Sequence, residues 1–376
     1  MTDSATHRRP DLAVLVSELG KGGMGKMRIQ LINALVARGL TVDLLFAKEL
    51  SEYSTADLDP RVRVVRLRTT NALTGVPQLA AYLRRSRPTA LLTQRIRVNI
   101  LAHRARAVAR VPVRVYATIN THVSRALENR SERERRARLG KIRRYFPRND
   151  GLIGVSRGVA DDFADLLGWP RESIDVAPNP VIKPELDELA AAPVDHPWFQ
   201  PGEPPVVLGV GRLTTQKYFP DLIRAFARLR ERHEARLVIL GKGPRRDEIE
   251  AAARDAGIEA DFDLPGFVAN PYAYMARSRM FVLSSGWEGS PNVLVEAMAV
   301  GTAVVATDCP SGPREILEGG RLAPLVPVGD PEALAEAMER VWNDPPDPEV
   351  LRASARERYS PDRSAEAFMR AMGLAG

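Results

Sequence analysis

Glu288 and Glu296 stand eight positions apart, just after the apolar run MFVLSS (280–285), and Gly289, Ser290, Pro291, Asn292 and Val293 lie between them. A carboxylate that accepts from two hydroxyls reads a diol, so Glu288 suits sugar hydroxyls and Glu296 suits ribose hydroxyls. Ser290 is a good helix cap, and Pro291 fits a first helical position. The helix they open would present its first amides, those of Asn292 and Val293 included. Such amides, with the helix dipole, stabilise a diphosphate. Gly289 lets a ligand approach the backbone closely. Arg212 and Lys217 follow a second apolar run, VVLGVG (206–211). Two cations there would clamp a diphosphate and stabilise charge on a departing nucleoside diphosphate. The competing reading is ordinary surface charge and a helix-favouring glutamate. It is weak for Glu296, whose neighbours are Val295, Ala297 and Met298.

Other motifs need sorting. ELGKGGMGKM (18–27) contains G-x4-G-K from Gly20 to Lys26, the opening of a phosphate-binding nucleotidase loop. That loop needs Ser or Thr next, to hold Mg²⁺, and Met27 stands there. Asp-x-Asp occurs at Asp57/Asp59 and at Asp261/Asp263, in neither case beside a convincing site, so no metal is expected. His122 follows the run VRVYATI (113–119) and reads either as a sugar or acceptor contact or as a structural histidine.

Alternating elements must hold these groups. LAVLVSEL (12–19), a glycine-rich turn, MRIQLINALVARG and VDLLF (42–46) read as strand, loop, helix, strand. RVRVVRL, TALLTQ, VRVYATI and GLIGVS continue a first Rossmann-like domain over 1–180. Seven prolines between Ala177 and Pro205 mark 181–205 as a linker. A second strand–helix series fills 206–355, and the last helix, within 356–376, is expected to cross back to the first domain. The fold class is therefore α/β, with two doubly wound parallel sheets and a cleft between their carboxyl ends.

Composition narrows the setting. Of 376 residues, 44% are hydrophobic, enough for real cores, so disorder is not the default reading. Cys309 is the sole cysteine and cannot form an internal disulfide, which fits a reducing, cytoplasmic compartment. The start MTDSATHRRP has no apolar core of a signal peptide, and no run is long enough to span a bilayer. Residues 84–148 carry 19 Arg and Lys against three acids, a balance of +16, while the whole chain is +7 and the remainder therefore 7 − 16 = −9. Such a split points to an anionic partner (a membrane face, a phosphorylated acceptor or nucleic acid) or, alternatively, to an arginine-rich coding bias on solvated helices. Few aromatics interleave with these arginines and no nucleic-acid module is recognisable, which argues against the last.

The stretch EGSPNVLVEAMAVGTAVVATD (288–308) resembles the Glu-x7-Glu signature of family 4 of the retaining glycosyltransferases, whose fold is GT-B. CPSGPREIL (309–317) is similar to a subgroup that builds bacterial surface polysaccharides, and Arg212 with Lys217 resembles the family's Arg-x4-Lys pair. The resemblance implies a nucleoside-diphosphate sugar as donor substrate, UDP-hexose or UDP-N-acetylhexosamine, no bound cofactor, and a glycan or lipid-diphosphate-linked acceptor. It implies that Glu288 contacts the donor sugar and Glu296 the ribose. It places the base near Gly266, Phe267 and Val268, with Phe267 alternatively a core residue. Gly22 and Gly23 would bring backbone to the donor phosphate. Family members carry a histidine where this chain has Asn120, so His122 is the remaining candidate on that side. A nucleotide-sugar-binding protein without catalysis is the rival reading.

Overall fold

Runs such as LAVLV, ALLT, RLVIL, MFVL and VVAT are apolar on both alternating faces, as strands require when helices cover a parallel sheet on both sides. In a computed structural model, which describes residues 9–17, 23–46, 57–67, 72–128 and 130–374, every residue of β1 (Leu12–Val16) is buried. Parallel to it lie β2 (Val42–Phe46), β3 (Arg63–Arg66), β4 (Ala90–Thr93), β5 (Arg114–Ile119), β6 (Gly151–Gly154) and β7 (Asp175–Val176), in the order β3-β2-β1-β4-β5-β6-β7 among the described residues. A second sheet contains β8 (Val206–Val210), β9 (Arg236–Leu240), β10 (Phe262–Gly266), β11 (Met280–Leu283), β12 (Val304–Thr307) and β13 (Leu325–Val326), in the order β10-β9-β8-β11-β12-β13. Strand order reverses between β1 and β4 and again between β8 and β11. Open α/β sheets bind ligands outside the carboxyl ends of strands at such reversals.

Each sheet has its own core. The helix Phe219–Arg230 turns Phe219, Leu222, Ile223, Phe226 and Leu229 inward, at helical spacing, onto the second sheet. Phe226 is fully buried, and truncating such a side chain to alanine costs about 3–5 kcal/mol.

The chain divides into two units, residues 1–180 with 361–376 and residues 181–360. The proline-rich stretch 181–205, expected to link the two units, falls within the second. It carries the helix Leu186–Ala191, whose carbonyls at Leu189, Ala190 and Ala191 accept from Asn270 Nδ2 (2.8 Å) and Arg277 (2.9 and 3.0 Å). His196 Nε2 lies 2.8 Å from Asp263 Oδ2, and its ring meets Trp198 and Phe199 edge-on. These anchors are tertiary, so local composition does not reveal them. The helix Pro361–Met372 packs within the first unit. Tyr116 donates to the Met372 carbonyl at 3.0 Å, and Asp362 pairs with Arg38 at 2.7 Å.

The basic segment is largely surface. The helix Glu132–Tyr145 starts in a capping box between Ser131 and Glu134 and leaves Arg133, Arg138, Lys141, Arg143 and Arg144 exposed. Tyr145 and Phe146, at the end of that helix, are buried, and Phe146 meets Phe163 in a tilted ring contact with centres 5.0 Å apart.

Candidate functional site

At the reversal of the second sheet, the segment after β8 meets the segment after β11. Lys217 Nζ lies 2.6 Å from Glu288 Oε1, and the two side chains are only 13% and 9% exposed. Ser285 donates its hydroxyl to the same carboxylate oxygen at 2.7 Å. Gln216 Nε2 donates to the Trp287 carbonyl at 2.8 Å and reaches Glu288 Oε2 at 3.4 Å. A buried carboxylate needs this company, because desolvation disfavours its charge unless cation and donors compensate. Two hydrogen bonds lock the two segments together: Gly286 N donates to the Gln216 carbonyl (2.8 Å), and the Ser284 hydroxyl to the Lys217 carbonyl (2.7 Å). Gly286 permits that contact, since a Cβ there would fall 2.3 Å from the Tyr218 ring. Cys309 is buried nearby, and burial together with Glu288 pushes its thiol well above the ordinary range, so it is an inert packing group.

The helix beyond Glu288 runs Asn292–Ala299, one residue later than the sequence reading. Pro291 occupies the cap position and its carbonyl accepts from Leu294 N at 3.0 Å; Ser290 makes no capping bond. Gly312, at φ +98°, packs its backbone against Pro291: a Cβ there would lie 2.4 Å from Pro291 Cδ. The first turn, Asn292 and Val293, precedes any intrahelical acceptor for its amides, so the anion-favouring end of the helix is at the strand ends as expected. Further along, Glu296 Oε1 accepts from the Tyr272 hydroxyl at 3.2 Å. Tyr272 is buried, and burial followed by the Glu296 charge raises its pKa, keeping the phenol a donor. Lys183 Nζ sits 5.1 Å from the centre of the Tyr272 ring.

Arg212 is exposed and has no ion-pair partner among the described residues. Its loop is pressed against the next strand end. Gly211 N donates to the Leu240 carbonyl at 2.9 Å, and Leu213 N to the Lys242 carbonyl at 3.0 Å. Gly266, at φ +94°, closes β10 and accepts from Gly241 N at 2.8 Å. Phe267 follows with 59% of its surface exposed, and Lys242 Nζ lies 5.8 Å from its ring centre. Phe267 is thus not a core residue. Val268 is half-buried beside it.

In the first unit, Gly22 lies outside the described residues, and the helix Gly23–Ala37 begins at Gly23. His122 Nδ1 is 3.2 Å from Asp162 Oδ1, a carboxylate that also accepts from Val123 N at 2.6 Å and Ser124 N at 3.2 Å. Burial lowers the His122 pKa, against the opposing pull of Asp162. This geometry serves the start of the helix Val123–Glu128. Asn120 instead lines a cavity with Arg28. Of the Asp-x-Asp pairs, Asp59 holds Arg61, Asp261 holds Arg230 and Arg236, and Asp263 holds His196.

Sequence reasoning missed Ser285, Gln216 and Tyr272. The first two sit within three positions of Glu288 and Lys217, so proximity was a usable signal. Tyr272 is 24 positions from Glu296, and only the fold brings it there.

Residues 21–182 match the family described as Glycosyltransferase Family 4, and residues 195–358 the one described as Glycosyl transferases group 1. The Campylobacter jejuni N-acetylgalactosamine-N,N'-diacetylbacillosaminyl-diphospho-undecaprenol 4-alpha-N-acetylgalactosaminyltransferase is 31% identical over 199 residues, 53% of this chain and 52% of that protein. The Rhizobium meliloti lipopolysaccharide core biosynthesis glycosyltransferase LpsE is 33% identical over 200 residues, 53% and 56% of the two chains. The matched stretch thus spans about half the length of these curated relatives. Among solved structures, Anabaena HepE in complex with UDP superimposes with a TM-score of 0.76 at 18% identity, covering 97% of this chain and all of that one, 100%. At that identity the likeness concerns the fold.

Proposed function

This chain belongs to the family 4 glycosyltransferases of GT-B fold, and we propose that it moves a hexose or N-acetylhexosamine from a UDP-sugar to a glycan or lipid-linked acceptor during synthesis of a cell-surface polysaccharide, with retention at the anomeric carbon. The observation that carries this reading is the buried Lys217–Glu288 pair beside a helix N-terminus, at the reversal point of the second sheet.

In this reading the diphosphate lies against Gly289, Ser290, Pro291 and the amides of Asn292 and Val293, with Arg212 and Lys217 as counter-charges. Glu288 accepts from sugar hydroxyls, and Glu296, oriented by Tyr272, accepts from the ribose. The base lies over Gly266, Phe267 and Val268. The acceptor hydroxyl attacks the anomeric carbon on the face the nucleotide leaves. One carbon–oxygen bond forms as the bond to the diphosphate breaks, and a phosphate oxygen takes the hydroxyl proton. Arg212 and Lys217 stabilise the charge on the departing UDP, so no divalent metal is needed. The exposed basic helix Glu132–Tyr145 fits a peripheral position at the inner membrane face, where each cation near an anionic surface contributes about 1 kcal/mol. No helix among the described residues is long and apolar enough to cross a membrane.

Calorimetry and turnover test the assignment together. Glu296→Gln should weaken both UDP and the UDP-sugar, whereas Glu288→Gln should weaken only the intact donor. Turnover should persist in excess chelator. Equal loss of UDP affinity in the two variants would reverse the roles of the carboxylates, and activity abolished by chelator and restored by Mn²⁺ would end the metal-free mechanism.

A further inference from the structure

We propose that the first unit holds a buried anion-binding site centred on Arg28, which receives a phosphate or carboxylate group. Arg28 lies in the helix Gly23–Ala37 and is 6% exposed. Its Nη2 donates to Thr118 Oγ1 at 3.3 Å, and its buried Nη1 has no hydrogen-bond partner among the described residues. Burial lowers its pKa to about 10, with no acidic neighbour opposing that shift, so the guanidinium stays charged at neutral pH. An enclosed guanidinium facing no carboxylate is costly, and folds retain such a group where something else supplies the negative charge.

The surroundings are those of a receptor for that charge. Arg28 lines a cavity whose polar wall is completed by Gln94, Asn120 and Asn179, with Met27 and Phe368 on the apolar side. No carboxylate lines it among the described residues. Gln94 follows β4, Asn120 follows β5 and Asn179 follows β7, so the cavity opens at the carboxyl ends of strands beside the β1/β4 reversal. Side-chain amides and a guanidinium fork can donate together to the oxygens of one anion. Assigning that anion to the sugar acceptor rests on the glycosyl-transfer reading; the site itself does not.

The test uses the full chain with inorganic phosphate, acetate and chloride at matched ionic strength, read by calorimetry and thermal unfolding. Phosphate or acetate should raise the melting temperature where chloride does not. A response to phosphate alone identifies a phosphoryl source, and to acetate alone a carboxylate source. Arg28→Met should weaken the responding anion at least tenfold, yet raise the melting temperature of the anion-free protein, because it removes a buried unpaired charge. Arg28→Lys should keep the fold and part of the binding. Arg212→Ala removes only phosphate bound beside Lys217 and should leave the Arg28-dependent response intact. The proposal is overturned if neither anion acts, if Arg212→Ala rather than Arg28→Met abolishes the response, or if Arg28→Met lowers the anion-free melting temperature and leaves the response unchanged. Turnover is not read, so failure of the glycosyl-transfer reading would not alter this result.

Discussion

Lys217→Met tests whether the Lys217–Glu288 pair is one electrostatic unit. The two charged atoms lie 2.6 Å apart and the side chains are nearly enclosed. Removing one partner of a buried pair leaves an uncompensated charge and costs about 3–5 kcal/mol. The Ser285 hydroxyl and the Gln216 amide still donate to the stranded carboxylate, which places the expectation at the lower end, about 3 kcal/mol. For a unit the size of residues 181–360, each kcal/mol shifts the melting temperature by about 2–4 °C, so the loss is roughly 6–12 °C. Adding Glu288→Gln to Lys217→Met removes the stranded charge and should recover about 2 kcal/mol of it. Because two units need not unfold together, the transition is best followed through hydrogen exchange of β8 and β11. Arg212→Ala is the control. Arg212 is exposed, so its loss should change stability by no more than about 0.5 kcal/mol. UDP-sugar affinity should nevertheless fall roughly ten- to hundredfold, as expected for a lost charge-assisted contact. Additive single-variant effects, or a Lys217→Met cost below about 1 kcal/mol, would refute the coupled-pair argument.

Other outcomes follow from the same structure. Phe267→Ala should leave the melting temperature unchanged, because the ring is mostly exposed, and weaken UDP by roughly five- to tenfold if the base stacks there; unchanged affinity in titration would remove the base from this loop. His103 is held with a pKa lowered to about 4, first by burial and then by Arg106. Its folded pKa is below its unfolded value of about 6.5, so the stability it contributes is complete above pH 6.5 and is lost as pH falls from there towards 4. The melting temperature of His103→Gln should accordingly decline less steeply over that window, and parallel profiles would contradict the linkage. Pelleting with anionic vesicles should exceed that with neutral ones and weaken as salt shortens the Debye length from about 10 Å at 0.1 M to about 3 Å at 1 M. With Tyr145 and Phe146 buried, little salt-resistant binding is expected from that patch, and equal pelleting with both vesicle types would remove the membrane position.

Much of this protein was legible from local pattern. Apolar runs buried on both faces dictate parallel strands, and amphipathic helices between them dictate two doubly wound units. Glu288, Glu296, Arg212 and Lys217 stood out because each lies just past such a run or in the helix that follows it, where the fold delivers side chains to a common edge. Spacing along the chain could not show which of them touch. The contact of Lys217 with Glu288 spans 71 positions, and it exists because β8 and β11 are neighbours in the sheet. Nor could spacing show that Tyr272 holds Glu296, that Gly312 packs against the helix start at Pro291, or that 181–205 is tied down by Asn270, Arg277 and Asp263. Residue type likewise did not decide between Phe267 and Phe146, two phenylalanines of which the fold exposes one and buries the other. Strand formation answers to hydrophobicity repeated over a few residues, whereas pairing, burial and cap position depend on which distant backbone arrives alongside, and only the assembled sheets decide that.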